Sequence, residues 1–193
     1  WEYYPDVLLN PEDDLEQYYF RYLSIGEFGG LELDDRDGNP YGSGTYRLRI
    51  MLSPEEHTYG LYLPEIFSAY NLYIDGILIE QVGNPDPEHY VEQIQHRMFT
   101  FKGHTSVEIM LAVTDKTSAS PGIQYVPAFG NPLKVNTIRG IPVFINSSVF
   151  TLVFLVLLFS IWAFFRTRSK ANALFAGVCV CVLGYTCYPL LHT

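Results

Sequence analysis

The stretch Ile141–Phe165, IPVFINSSVFTLVFLVLLFSIWAFF, contains no Asp, Glu, Lys or Arg and decides how the rest of the chain is read. At about 1.5 Å per residue, the part from Asn146 onward already covers roughly 30 Å as a helix, the thickness of a bilayer's hydrocarbon core. Asn146, Ser147 and Ser148 are suitable helix caps at its start, with Pro142 placed ahead of them, and Trp162 suits the far interface. Arg166, Arg168 and Lys170 then break the run, and 171–193 again lacks Asp, Glu, Lys and Arg, with Gly177 and Gly184 suited to helix packing in lipid. Two crossings are predicted, about 146–165 and 171–191, joined by the turn 166–170. Core helices of soluble proteins are seldom apolar all round at such length. Short loops rich in Lys and Arg stay on the cytoplasmic side, so residues 1–140 are expected outside.

Composition supports two unlike parts. Hydrophobic residues reach 48% and charged ones only 17%, apolar-heavy for one soluble domain of 193 residues. All 21 acidic residues lie at or before Asp115, and with nine Lys and Arg up to Gly140 the front part carries −12. No basic stripe accompanies that charge, which argues against nucleic acid as a partner. Cys179, Cys181 and Cys187 all fall in the second apolar run, so the front part cannot rely on disulfides. The chain starts at Trp1 rather than Met and stops at the second run, and it is read as a segment of a longer exported protein.

Residues 1–140 show no helical period. Short alternating segments recur between Gly, Pro, Asn and Asp clusters, the pattern of a β-sandwich. Strands are predicted at 18–25, 45–52, 59–63, 70–74, 78–82, 98–101, 107–113 and 133–137, after a strand-poor lead-in marked by Pro5, Pro11, Asp13 and Asp14. Val107, Ile109, Leu111 and Val113 should face one way, and Asp75-Gly76 reads as a tight hairpin. If strand directions alternate, the turns 53–58, 75–77 and 102–106 share one end, while 26–44, 64–69, 83–97 and 114–132 share the other. Long loops gathered at one edge of a rigid sandwich are where binding sites usually sit.

Gly42-Ser-Gly-Thr-Tyr-Arg-Leu-Arg-Ile50, the run from Leu61 through Ser68-Ala-Tyr70, and Leu72-Tyr-Ile-Asp-Gly-Ile-Leu-Ile-Glu-Gln-Val-Gly83, followed by Pro127 to Gly130 and the first span, together resemble bacterial seven-transmembrane receptors with diverse intracellular signalling modules. The likeness covers roughly 41–165. It implies an all-β jelly-roll sandwich ectodomain, similar to galactose-binding domains, followed by transmembrane α-helices. It also implies further helices and a cytoplasmic output domain such as a histidine kinase or diguanylate cyclase. The family often carries an Asn-aromatic-x-His segment and paired glycines after its late strand. Here the chain reads Thr114-Asp-Lys-Thr-Ser-Ala-Ser-Pro-Gly122, which puts the ligand's identity in doubt.

Binding of a sugar or organic acid needs a flat aromatic and groups for hydroxyls or carboxylates. His89, Tyr90 and Arg97 from one long loop, with Asp115, Lys116 and Tyr125 from another, are the candidate ligand-binding residues. With 15 Tyr in the chain, the alternative for any single one is packing. Asp34-Asp-Arg-Asp37-Gly-Asn39 resembles part of a calcium loop but lacks the late Glu and carries Arg36, so it reads as a turn. His57, His89, His96 and His104 are scattered, which argues against zinc, and no metal or cofactor is expected. No nucleophile elbow, phosphate-binding Gly loop or Cys/His pair outside the membrane is present, so no enzymatic activity is expected of this stretch. The expected function is the sensory ectodomain and anchor of a signalling receptor in a bacterial inner membrane, with a small-molecule ligand, the lipid bilayer and a second copy of itself as partners. The alternative is a membrane-anchored carbohydrate-binding or structural module without output.

Overall fold

The computed structural model describes residues 1–25, 41–117 and 122–191, with side chains to residue 187. Two compact units divide the chain, Trp1–Val135 and Asn136–Thr193. In the first, nine strands form two antiparallel sheets among the described residues. The strands are β1 (Glu2–Pro5), β2 (Arg21–Tyr22), β3 (Gly42–Met51), β4 (His57–Ile66), β5 (Ala69–Ile74), β6 (Ile77–Val82), β7 (Gln95–Gly103), β8 (Ser106–Asp115) and β9 (Ala128–Gly130). One sheet has the order β2-β1-β3-β8-β5-β6 and the other β7-β4-β9.

Alternation explains the layering. Val107, Ile109, Leu111 and Val113 of β8 point inward and are fully buried, as the period-two pattern predicts. They meet Leu61, Leu63 and Ile66 of β4, with Phe99, Phe101 and Phe129 at the edges, in one core between the sheets. This is a β-sandwich. Asp75 and Gly76 have φ of 49° and 80°, the doubly positive pair that a two-residue hairpin requires. Pro64 sits where β4 and β7 slip register, a position where a missing N–H does no harm.

The outward face of the six-stranded sheet is not all solvent. The segment after β1 crosses it as a strap, and Leu8 and Leu15 pack on Tyr73, Met110 and Ala112. Thr45 of β3 pins the strap, its Oγ1 donating to Val7 O (2.8 Å) and accepting from Leu9 N (2.9 Å).

Several expectations need correction. The lead-in begins with a strand, β1, which pairs with both β2 and β3. Of the strand predicted over 18–25, only Arg21–Tyr22 forms. Because β2 and β3 are both antiparallel to β1, they run the same way, so the segment between them starts at the opposite end from where it finishes. Residues 26–40 themselves, with the Asp34–Asn39 motif, lie outside the described residues, as do 118–121. The remaining alternation holds: the links 52–56, 75–76 and 104–105 lie at one end, and those after β4, β6 and β8 at the other.

The predicted strand over 133–137 is instead the opening of a helix. Helix α1 runs unbroken over Pro132–Thr167 and contains Pro142, and α2 follows over Lys170–Leu191. The true cap is Asn131, whose Oδ1 accepts from Leu133 N at 3.0 Å. Asn146, Ser147 and Ser148 therefore lie in mid-helix, where Ser148 Oγ donates back to Phe144 O (2.8 Å). In the first turn of α1, Val135 is 2% exposed. It sits over Gly60 of β4, where an added Cβ would come within 3.1 Å of Pro132 Cα and 3.5 Å of Val135 Cβ. Arg168 ends the first helix with a φ of 50°. Both helices are long and apolar enough to cross a membrane.

Candidate functional site

The long-loop end is built from the links after β6 and β8. After β6 the chain forms a closed hook: Asn84 N donates to Val91 O (2.9 Å) and Val91 N to Asn84 O (3.1 Å). Within it Asn84 Oδ1 accepts from Asp86 N (3.1 Å) and Asp86 Oδ1 from Glu88 N (3.0 Å), side chains standing in for backbone partners. Pro85 and Pro87 fix their own φ and stiffen the hook further. Gly83 has a φ of +65° and lies against Val91 O, so a side chain there would both strain and clash.

Of the six residues singled out by sequence, four lie here, on or beside the links after β6 and β8. His89 Nδ1 lies 2.8 Å from Asp86 Oδ2, and this contact holds the Asp86 carboxyl below the usual carboxylate range. Lys116 Nζ donates to Pro87 O. The neighbouring Thr117 Oγ1 donates to Glu92 Oε2 at 2.6 Å, tying the two links together. Tyr90's hydroxyl is enclosed beside Thr117 without a well-aligned bond, and burial is the main cause of its raised pKa. Asp115 is 0% exposed. Its Oδ2 accepts from Ser68 Oγ (2.7 Å) and its Oδ1 from Thr117 N (2.9 Å), while Ser68 Oγ accepts from Gly122 N (2.9 Å). Its carboxylate is thus turned into the protein as a latch for the second link.

The other two stand apart. Arg97 on β7 reaches Glu80 on β6 at 3.4 Å, and its Nε has no hydrogen-bond partner. Close by, burial pushes the Tyr70 hydroxyl up, with Glu80 adding to the shift and Arg97 opposing it. Tyr125 is 54% exposed and its ring lies 6.4 Å from that of Phe67. Among the described residues no group of three or more His, Cys, Asp or Glu is placed to hold a metal ion.

A cavity of about 280 Å³ opens beside the hook, on the outward face of the six-stranded sheet. Its floor is a row of cross-strand neighbours, Ala112 of β8, Asn71 of β5 and Gln81 of β6. The strap, Leu8 to Asn10, forms one wall and the hook, Asn84 to Pro87, the other. Tyr73 Oη donates to Asn10 Oδ1 at 3.1 Å and accepts from Asn71 Nδ2 at 3.5 Å. Asn71 Oδ1 is buried with no hydrogen-bond partner. Sequence reasoning passed over these residues. The available signal was an amide at an outward position of a strand otherwise built of large apolar residues, Leu72-Tyr73-Ile74.

No family model matches the chain, and no curated protein matches it. Among solved structures it is similar to a glycosyl hydrolase family 2 member from Bacteroides cellulosilyticus, at 12% identity and a TM-score of 0.45 over 66% of this chain. The chain spans 19% of that structure's length.

Proposed function

We propose that the chain is the sensory ectodomain and membrane anchor of a bacterial transmembrane signalling receptor. On this reading the sandwich is a jelly roll of the galactose-binding type, exposed to the periplasm or exterior, and it binds a small external ligand near its long-loop end. Helices α1 and α2 cross the inner membrane with the turn 166–170 in the cytoplasm, and an output domain lies beyond Thr193. The observation that supports it most is the order of parts along one chain. A β-sandwich with its long links after β6 and β8 gathered at one end is followed, after Asn131 alone, by a 36-residue helix that starts from the other end. A flexible linker would uncouple occupancy from the helix, and the docking of Val135 over Gly60 gives a bound ligand a stiff element to bias.

The test has two parts. Topology reporters placed before Trp1 and between Arg168 and Lys170 should report opposite sides of the membrane, and replacing Arg166, Arg168 and Lys170 with Glu should weaken that preference. A thermal-shift panel of sugars, polyols, amides and organic acids on the detergent-solubilised chain should then find a compound that raises the sandwich's melting temperature. Same-side reporters, or a panel without effect, would remove the reading's support.

A further inference from the structure

We infer that the cavity between strap and hook is a binding site for a small uncharged molecule bearing hydroxyl or amide groups. The inference rests on the reading of the sandwich as a ligand-binding domain and gives that domain a site and a ligand chemistry. Three features of the cavity carry it.

Its walls are built before any ligand arrives. Thr45 fixes the strap through two hydrogen bonds, and the hook is closed by its own backbone pair, two Asx-type turns, two prolines and Lys116. Ligand sites are usually pre-formed in this way, because ordering a loop on binding subtracts from affinity.

The floor also holds an acceptor that the protein leaves unused. Asn71 Oδ1 is buried and unpartnered, whereas buried polar atoms are nearly always hydrogen-bonded. It sits between small Ala112, which leaves room above the sheet, and Gln81, which brings both a donor and an acceptor. A ligand hydroxyl or N–H would satisfy Asn71 Oδ1.

The lining then selects the chemistry. Asn10, Asn71, Gln81 and Asn84 offer amides, and Leu8, Leu9, Pro85, Pro87 and Ala112 offer apolar walls. Among the described residues no Lys or Arg lines the cavity, and Lys116 beside it is held on Pro87 O, so a carboxylate or phosphate would find no cation in the lining, beside an Asp86 already engaged by His89 and Glu88 N. No aromatic side chain among the described residues lines it either, so a pyranose would lack the stacking surface it normally uses. At about 280 Å³ the cavity lies at the small end of ligand pockets, which suits a compact polyol or amide.

The test uses the full chain in detergent with selectively labelled Asn and Gln side-chain amides. Erythritol, xylitol, acetamide and glycinamide are the probes, with succinate and glucose for comparison. The neutral acyclic probes should shift the Asn71 and Gln81 side-chain signals and raise the melting temperature. Ala112→Val, which fills the floor, should abolish both effects, and Asn71→Ala should weaken binding about tenfold, the equivalent of one hydrogen bond. Gln81→Ala, on an edge strand, serves if Ala112→Val does not fold. If succinate or glucose binds and all three variants bind it like wild type, this inference is overturned while the sensing reading stands. If no compound in the wider panel binds, the sensing reading falls and takes the inference with it.

Discussion

Replacing Asp115 by Ala should cost the sandwich roughly 3 kcal/mol, because the carboxylate is a buried latch. The substitution leaves the Ser68 hydroxyl and the Thr117 N–H without the acceptors they have at 2.7 Å and 2.9 Å. Each buried donor left unpaired costs about 1–3 kcal/mol, offset partly because a buried carboxylate no longer needs desolvating. For a unit of this size about 3 kcal/mol corresponds to a fall of roughly 10 °C in melting temperature. Ser68→Ala should cost about 2 kcal/mol, since Gly122 N also loses its acceptor. The double variant should be less destabilised than the sum by about 1–2 kcal/mol, because the pair shares one hydrogen bond. Urea unfolding of the solubilised chain, followed by near-ultraviolet circular dichroism of the tyrosine-rich core, measures all four corners of the cycle. Additivity within about 0.5 kcal/mol would refute the latch. So would an Asp115→Ala variant as stable as wild type, the outcome expected of a residue that only touches ligand.

Three further outcomes follow from the same geometry. On the outer face, Glu108 is pushed up by burial, but hydrogen bonds from Arg47 (2.5 and 2.9 Å) and Arg49 (3.0 Å) outweigh this and hold its carboxyl below the usual range. A depressed folded value means its contribution is complete above about pH 4.3 and disappears as pH falls through the folded value, so wild type should lose stability in that acid window more steeply than Glu108→Gln. Tyr70→Phe removes a buried hydroxyl that has no hydrogen-bond partner, so stability should be unchanged or higher by up to about 1 kcal/mol, and a loss above that in urea titration would contradict the burial account. Gly60→Val should force the start of α1 off β4, since a Cβ at that position would approach Pro132 Cα to 3.1 Å, and should be read as faster hydrogen exchange at the Val135 amide.

The parts of the fold that could be read from the string are those where one short-range rule acts without competition. Asp75-Gly76 is a hairpin because few other residues tolerate two positive φ angles, and Val107, Ile109, Leu111 and Val113 of β8 share one face because that face meets the core between the sheets. Leu133–Thr137 misled because Leu133, Val135 and Thr137 alternate over only five residues, too few to separate a period of 2 from one of 3.6. What settles the matter is Asn131, a cap that lies just before the segment. Asn146, Ser147 and Ser148 misled in the opposite sense: their cap chemistry is real, but inside a helix a hydroxyl bonds back to the preceding turn. The site shows the same division. Sequence picked out the links that carry His89, Tyr90, Asp115 and Lys116 but not the buried contact of Asp115 with Ser68 or the bond of Lys116 to Pro87 O, which depend on partners distant along the chain. The Ala112, Asn71, Gln81 row is scattered over three strands, and only sheet register brings it together.

Pro142 within α1 carries a consequence for depth. Having no N–H, it leaves the carbonyl of Ile138 without its helical donor, a loss of little importance in water and a costly one in hydrocarbon. If the helix enters lipid, that carbonyl must remain where headgroups or water can reach it, which sets the waterline close to Pro142. The 23 residues from Val143 to Phe165 then supply about 34 Å of greasy cylinder, enough for one leaflet pair with a slight lean, and Lys134 and Arg139 fall on the water side of that line.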